Sequence, residues 1–123
     1  MLEPGLRRLL DEAINTSTKL AIVLLYANQR LVSATPAQIS QRLCRDIWSV
    51  EEALDELAED GILQCHSGLY TYRPASRWAE SLRRLFATYD EPLRRQEIMR
   101  VVSDLDSYAP YRSMINNRIV SVF

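Results

Sequence analysis

Two cysteines (Cys44, Cys65), one histidine (His66) and one lysine (Lys19) are the side chains of this chain best suited to covalent or metal chemistry. A tetrahedral zinc centre takes about four nitrogen or sulfur ligands, and the three present here are scattered, with no Cys-x-x-Cys pair. The same scarcity argues against a disulfide scaffold and points to a reducing compartment. Three glycines, Gly5, Gly61 and Gly68, form no loop that could wrap a phosphate, and Lys19 stands in no P-loop. No nucleophile has a base and an orienting group at a recognisable spacing. The residues therefore speak against an enzyme, a metal site or a cofactor, and for a binding protein.

Charge is the more informative chemistry. Fifteen Lys+Arg against sixteen Asp+Glu leave a formal net charge of -1, yet the two signs are unevenly placed. From Asp46 to Asp60 there are seven acids and no base. Arg77, Arg83, Arg84, Arg94, Arg95 and Arg100 then crowd the region that follows, diluted by Glu80, Asp90, Glu91 and Glu97. Two readings suit the basic run. It forms the solvated faces of amphipathic helices, or it meets nucleic acid or the acidic run of another subunit.

The elements that must position these charges follow from length and pattern. A chain of 123 residues with 47% hydrophobic content supports one compact domain with a real core. The densest apolar run, Leu20–Ala27, is too short to cross a bilayer, and Met1-Leu2-Glu3-Pro4-Gly5 lacks the pattern of a secretion signal. A cytoplasmic protein with no membrane contact is expected. Leu2, Leu6, Leu9, Leu10 and Ile14 predict an N-terminal amphipathic helix. Lys19–Ala27 predicts a helix apolar nearly all round, capped at Thr16, Ser17 or Thr18, which needs cover on two sides. Thr35-Pro36-Ala37-Gln38 is a capping box with proline at the first helical position, opening a short helix that ends near Cys44.

Asp46 caps a third helix, Ile47 to Asp60, with Ile47, Val50, Ala53, Leu54 and Leu57 on the core side and Gly61 as its stop. Ile62–Cys65 and Leu69–Tyr72, around His66-Ser67-Gly68, predict a β-hairpin ended by Pro74. Beyond it, Trp78, Leu82, Leu85, Phe86 and Tyr89 share one helical face. A helix begun at Asp90-Glu91-Pro92 carries Leu93, Ile98, Val101, Val102 and Leu105 inward. Tyr108 to Phe123 is apolar enough to pack on the body or on a partner. Cys44 is expected to be a small buried residue, and His66 a turn residue. Trp48 is either an interface anchor or packed on the turn or the C-terminal helices. Tyr70, Tyr72 and Trp78 fill the core or line a ligand pocket.

Helix, short capped helix, tight turn, third helix, Gly and hairpin, in that order, resemble the winged helix-turn-helix of bacterial MarR-like transcriptional regulators. Ser49–Leu63 has the form of their recognition helix running into the first wing strand, and Pro36–Leu43 looks like their second helix. The resemblance implies a mainly α fold with a small β-hairpin: an N-terminal helix (1–18), a winged helix-turn-helix (19–75) and a C-terminal helical arm (76–123) of the kind that dimerises. It also implies a DNA-binding regulator, with Arg42, Arg45, Trp48, Ser49, Glu52 and Arg73 as the contacting residues and Arg30 joining them if its loop folds back. The acidic third helix carries the alternative, a protein-docking module using Trp48, Glu51, Glu52, Asp55 and Glu56.

Overall fold

A computed structural model describes residues 2–29 and 31–107. Helix α1 (Pro4–Glu12) starts where the Glu3 carboxylate accepts the Leu6 N–H at 3.0 Å. That bond and one from the Gly5 N–H, the larger effect, hold the Glu3 carboxyl below its usual range. The helix buries Leu6, Leu9 and Leu10, while Leu2 and Ile14 are buried just beyond its two ends. Helix α2 (Ser17–Asn28) is capped by Thr16, whose hydroxyl accepts the Lys19 N–H at 3.1 Å. Its all-round apolar surface is covered within the chain. Packed against it are α3 (Pro36–Leu43), α4 (Ile47–Glu59) and α6 (Pro92–Ser107).

The capping box at Thr35 forms with both its bonds: Gln38 N–H to Thr35 Oγ1 at 3.3 Å and Thr35 N–H to Gln38 Oε1 at 2.9 Å. Cys44 closes α3 in the left-handed region, with φ 54°. Its side chain is exposed rather than buried, because the turn it makes projects outward between two helices that cover each other instead. Helix α4 buries Val50, Ala53, Leu54 and Leu57, and Gly61 at φ 84° turns the chain into the sheet.

Strands β2 (Leu63–His66) and β3 (Leu69–Tyr72) pair antiparallel, with His66 opposite Leu69. His66 is therefore the last strand residue, and the turn is Ser67-Gly68 alone. Both have positive φ, 52° and 77°, as a two-residue hairpin of matched twist requires. A third strand, β1 (Ser33–Ala34), pairs antiparallel with β3 and makes the sheet order β1-β3-β2. The hydroxyls of Ser33 and Thr71 lie 2.8 Å apart, and the Tyr72 N–H reaches the Val32 carbonyl at 3.0 Å.

Helix α5 (Ser76–Tyr89) buries Trp78, Leu82 and Leu85 against α1 and α6, so one hydrophobic core runs from α1 to α6. Tyr70 is buried with it, and Tyr72 packs half-buried against Tyr26 and Phe86. Leu93 departs from expectation: it is 87% exposed. It stands roughly 140° round α6 from the buried Ile98, so the stripe that buries Ile98 and Val102 turns Leu93 outward. The expected packing of residues 108–123 lies outside the described residues. Among the described residues, no helix is long and apolar enough to cross a membrane.

Candidate functional site

With Val50, Leu54 and Leu57 fixed inward, the 3.6-residue period places Trp48, Glu52, Asp55 and Glu59 in line down the outer side of α4. All four are exposed, as are the flanking Ser49 and Glu51. Trp48 is 78% exposed and, among the described residues, packs on neither the turn nor the C-terminal helices.

The acids of this segment divide by what they touch. Asp46 caps the helix, its carboxylate accepting the Ser49 N–H at 2.8 Å, and that bond first and the Ser49 hydroxyl second hold its carboxyl below the usual range. Asp55 accepts the Tyr70 hydroxyl at 2.6 Å. The bond to this carboxylate, reinforced by burial, pushes the Tyr70 phenol well above its ordinary value. Tyr70 in turn takes the Tyr26 hydroxyl on its carbonyl at 2.5 Å, so α2, β3 and α4 are joined by one chain of bonds. Glu56 is half-turned inward to the ammonium of Lys19, 2.6 Å away. Lys19 is only 4% exposed, and its second partner is Asn15 Oδ1 at 3.1 Å.

Asp60 ends the helix. Its carbonyl accepts both the Arg77 guanidinium at 2.7 Å and the Trp78 indole N–H at 2.8 Å, while burial raises its carboxyl above the usual range. Glu51, Glu52 and Glu59 make no hydrogen bond or ion pair among the described residues. A carboxylate that accepts a hydrogen bond keeps its charge. Of the seven acids, Glu56 is the one with a cation at contact distance among the described residues.

The arginines expected beside this surface are dispersed. Arg42 donates to Gln29 and Arg45 to Thr18 at 3.0 Å. Those acceptors mark opposite ends of α2, about 16 Å apart at 1.5 Å per residue. Arg73 lies beyond β3, next to Gln64 and Thr71. Arg30 falls outside the described residues. The structure thus assembles Trp48, Ser49, Glu51, Glu52 and Asp55 on one surface, withdraws Glu56 from it, and does not join Arg42, Arg45 and Arg73 to one another. Lys19 and Tyr70 were missed as the residues that hold α4 in place. The available signal was a lone lysine at the edge of an apolar helix in a chain whose next helix is rich in acids.

An exposed indole in line with unpaired carboxylates is suited to guanidinium and ammonium groups, through ring-face and ion-pair contacts. Among the described residues, no three His, Cys, Asp or Glu side chains are grouped so as to hold a metal ion. Compared with protein-family models, curated proteins and solved structures, the chain matches none.

Proposed function

We propose that this chain is a regulatory winged-helix module whose working surface is the outer side of α4, and that it docks a basic protein segment there. The observation that carries the reading is Trp48, 78% exposed and aligned with Glu52, Asp55 and Glu59. An indole presents about 150–250 Å² for burial, and tryptophans set among polar neighbours are typical anchors of interfaces. Glu51, Glu52 and Glu59 supply long-range attraction for a cationic partner. The test is affinity capture from cell extract, with and without nuclease. A protein retained despite nuclease by the wild type, and lost from the double variant Glu51→Lys/Glu52→Lys, supports the reading. Capture that survives the charge reversal refutes it.

A second reading, a DNA-binding transcriptional regulator, is favoured by the element order α2-β1-α3-α4-β2-β3, which resembles that of a winged helix-turn-helix. Its contacts would be Arg42, Arg45, Trp48, Ser49, Glu52 and Arg73. The charge of α4 weighs against it. Each carboxylate held at ~4 Å from a phosphate costs on the order of 1 kcal/mol even in water. Non-specific DNA affinity corresponds to dissociation constants of only about 10⁻⁴–10⁻⁶ M. Retention on mixed-sequence duplex DNA at low salt, with a steep loss as salt rises, would establish this reading over the first. A cytoplasmic homodimer belongs to the same proposal. Leu93 and Met99, exposed on α6, are side chains that a second copy would cover.

A further inference from the structure

Most arginines of the described residues are already engaged. Arg7 pairs with Asp11, Arg8 with Glu12, and Arg83 and Arg84 with Glu80. Arg77 and Arg95 hold backbone carbonyls, and Arg42 and Arg45 hold side-chain oxygens. Arg73 has no side-chain contact among the described residues, and it lines a groove of about 600 Å³ along β2.

The alternation of the sheet explains what else lines that groove. Gln64 stands directly opposite Thr71, and His66 lies two residues further along on the same face. Arg73 lies two residues beyond Thr71, on that face as well, with its N–H still paired to the Ile62 carbonyl at 3.3 Å. An amide, an imidazole, a hydroxyl and a guanidinium are therefore side by side. Ala58 and the exposed Cys65 also line it, with Leu63, almost wholly buried in the core, beneath. Among the described residues, no carboxylate lines this groove. The volume falls within the roughly 300–1,000 Å³ of small-molecule sites, and the lining is mainly polar, as recognition of a charged group needs.

We propose that this groove binds a small organic oxyanion, with Arg73 as the charged anchor and Gln64, His66 and Thr71 as the surrounding polar groups. A guanidinium offers two parallel N–H donors to a phosphate or carboxylate. The Thr71 hydroxyl, already beside Ser33, completes a short relay of hydroxyls across β1 and β3. The organic body of the ligand rests against the half-buried Ala58. Because Ala58 belongs to α4, a ligand held here abuts the same helix that carries Trp48. The groove does not depend on the partner proposed for α4, since its lining includes none of the carboxylates of that surface.

The experiment is an amide-resolved NMR titration of the full chain with sodium phosphate and, separately, sodium acetate, at constant ionic strength. Saturable shifts centred on Gln64, His66, Thr71 and Arg73 with either anion support the site, and the anion that saturates identifies the headgroup class. Arg73→Gln should weaken that binding roughly tenfold or more, the loss of a bidentate charged contact. Arg94→Gln, which removes a guanidinium equally without side-chain contacts among the described residues but on α6, should leave the curve unchanged. Shifts that fail to saturate with both anions overturn the proposal. So does an Arg73→Gln protein of unchanged melting temperature that binds as the wild type does, or an equal loss in Arg94→Gln. Failure here leaves the capture experiment on α4 unaffected, so the two proposals fail separately.

Discussion

Removing the charge from Glu56 and removing it from Lys19 should have unequal effects on stability. The ammonium of Lys19 is almost wholly enclosed, with Glu56 at 2.6 Å and Asn15 at 3.1 Å as its acceptors. The Glu56 side chain is 44% exposed, so water reaches it and screens the pair. At an effective dielectric between 80 and 20, contact at ~4 Å is worth about 1–4 kcal/mol before desolvation is subtracted. Glu56→Gln keeps a hydrogen-bond acceptor but leaves a positive charge enclosed without its counter-ion. Breaking a fully buried pair costs about 3–5 kcal/mol, and the exposure of Glu56 reduces this to roughly 1–2 kcal/mol. Lys19→Met keeps the unbranched stem and its packing and frees Glu56 to hydrate, so a change within about 1 kcal/mol is expected. Urea unfolding followed by circular dichroism measures both, with melting shifts of roughly 3–6 °C per kcal/mol at this chain length. A Lys19→Met protein less stable than Glu56→Gln would refute the reasoning, because it would show that the pair attracts more than its enclosure costs.

Two further outcomes follow from the same geometry. Burial pushes the Tyr26 phenol from 10.0 up to about 12. The unfolded chain therefore loses that proton first, so stability present below pH 10 falls as pH rises toward about 12; Tyr26→Phe should flatten that decline in unfolding titrations, and an unaltered slope would contradict it. Gly61 sits at φ 84° with the Ala75 Cβ 3.4 Å from where its own Cβ would be. Gly61→Ala should cost about 1–2 kcal/mol in the same urea assay, the penalty of a left-handed residue bearing a side chain, whereas a neutral result would show that the backbone relaxes there.

What sequence revealed and what it hid divide along the range of the interactions. Caps are local: Thr16, Thr35 with Gln38, and Asp46 each act within three residues, so their positions could be read directly. The stripe Val50, Ala53, Leu54, Leu57 and the stop at Gly61 were legible for the same reason. Strand β1 was not, because two residues carry no period and its pairing partner is 38 positions away. The exposure of Cys44 depends on a turn whose left-handed residue is not a glycine. Leu93 is apolar but lies in the first turn of α6, off the stripe that begins at Ile98, and residue type alone does not distinguish the two. The largest omission concerns α4. Sequence showed seven acids in a row of turns, but only the tertiary structure shows that Lys19 draws Glu56 inward and that the Tyr70 hydroxyl reaches out to the exposed Asp55. Arg42 and Arg45 are three residues apart in the chain, yet their guanidiniums are fastened to opposite ends of α2.

The two tryptophans occupy contrasting surroundings, and this gives the protein a built-in optical reporter. Trp78 is enclosed, with its indole N–H tied to the Asp60 carbonyl and the Arg8 and Arg77 guanidiniums near its ring. Trp48 stands in water. Emission from the two should differ in wavelength and in access to dissolved quenchers such as iodide or acrylamide. Occupancy of the outer surface of α4 would then shield the red-emitting fluorophore while leaving the blue-emitting one untouched. Loosening of the junction between α4 and α5 would change the second signal instead.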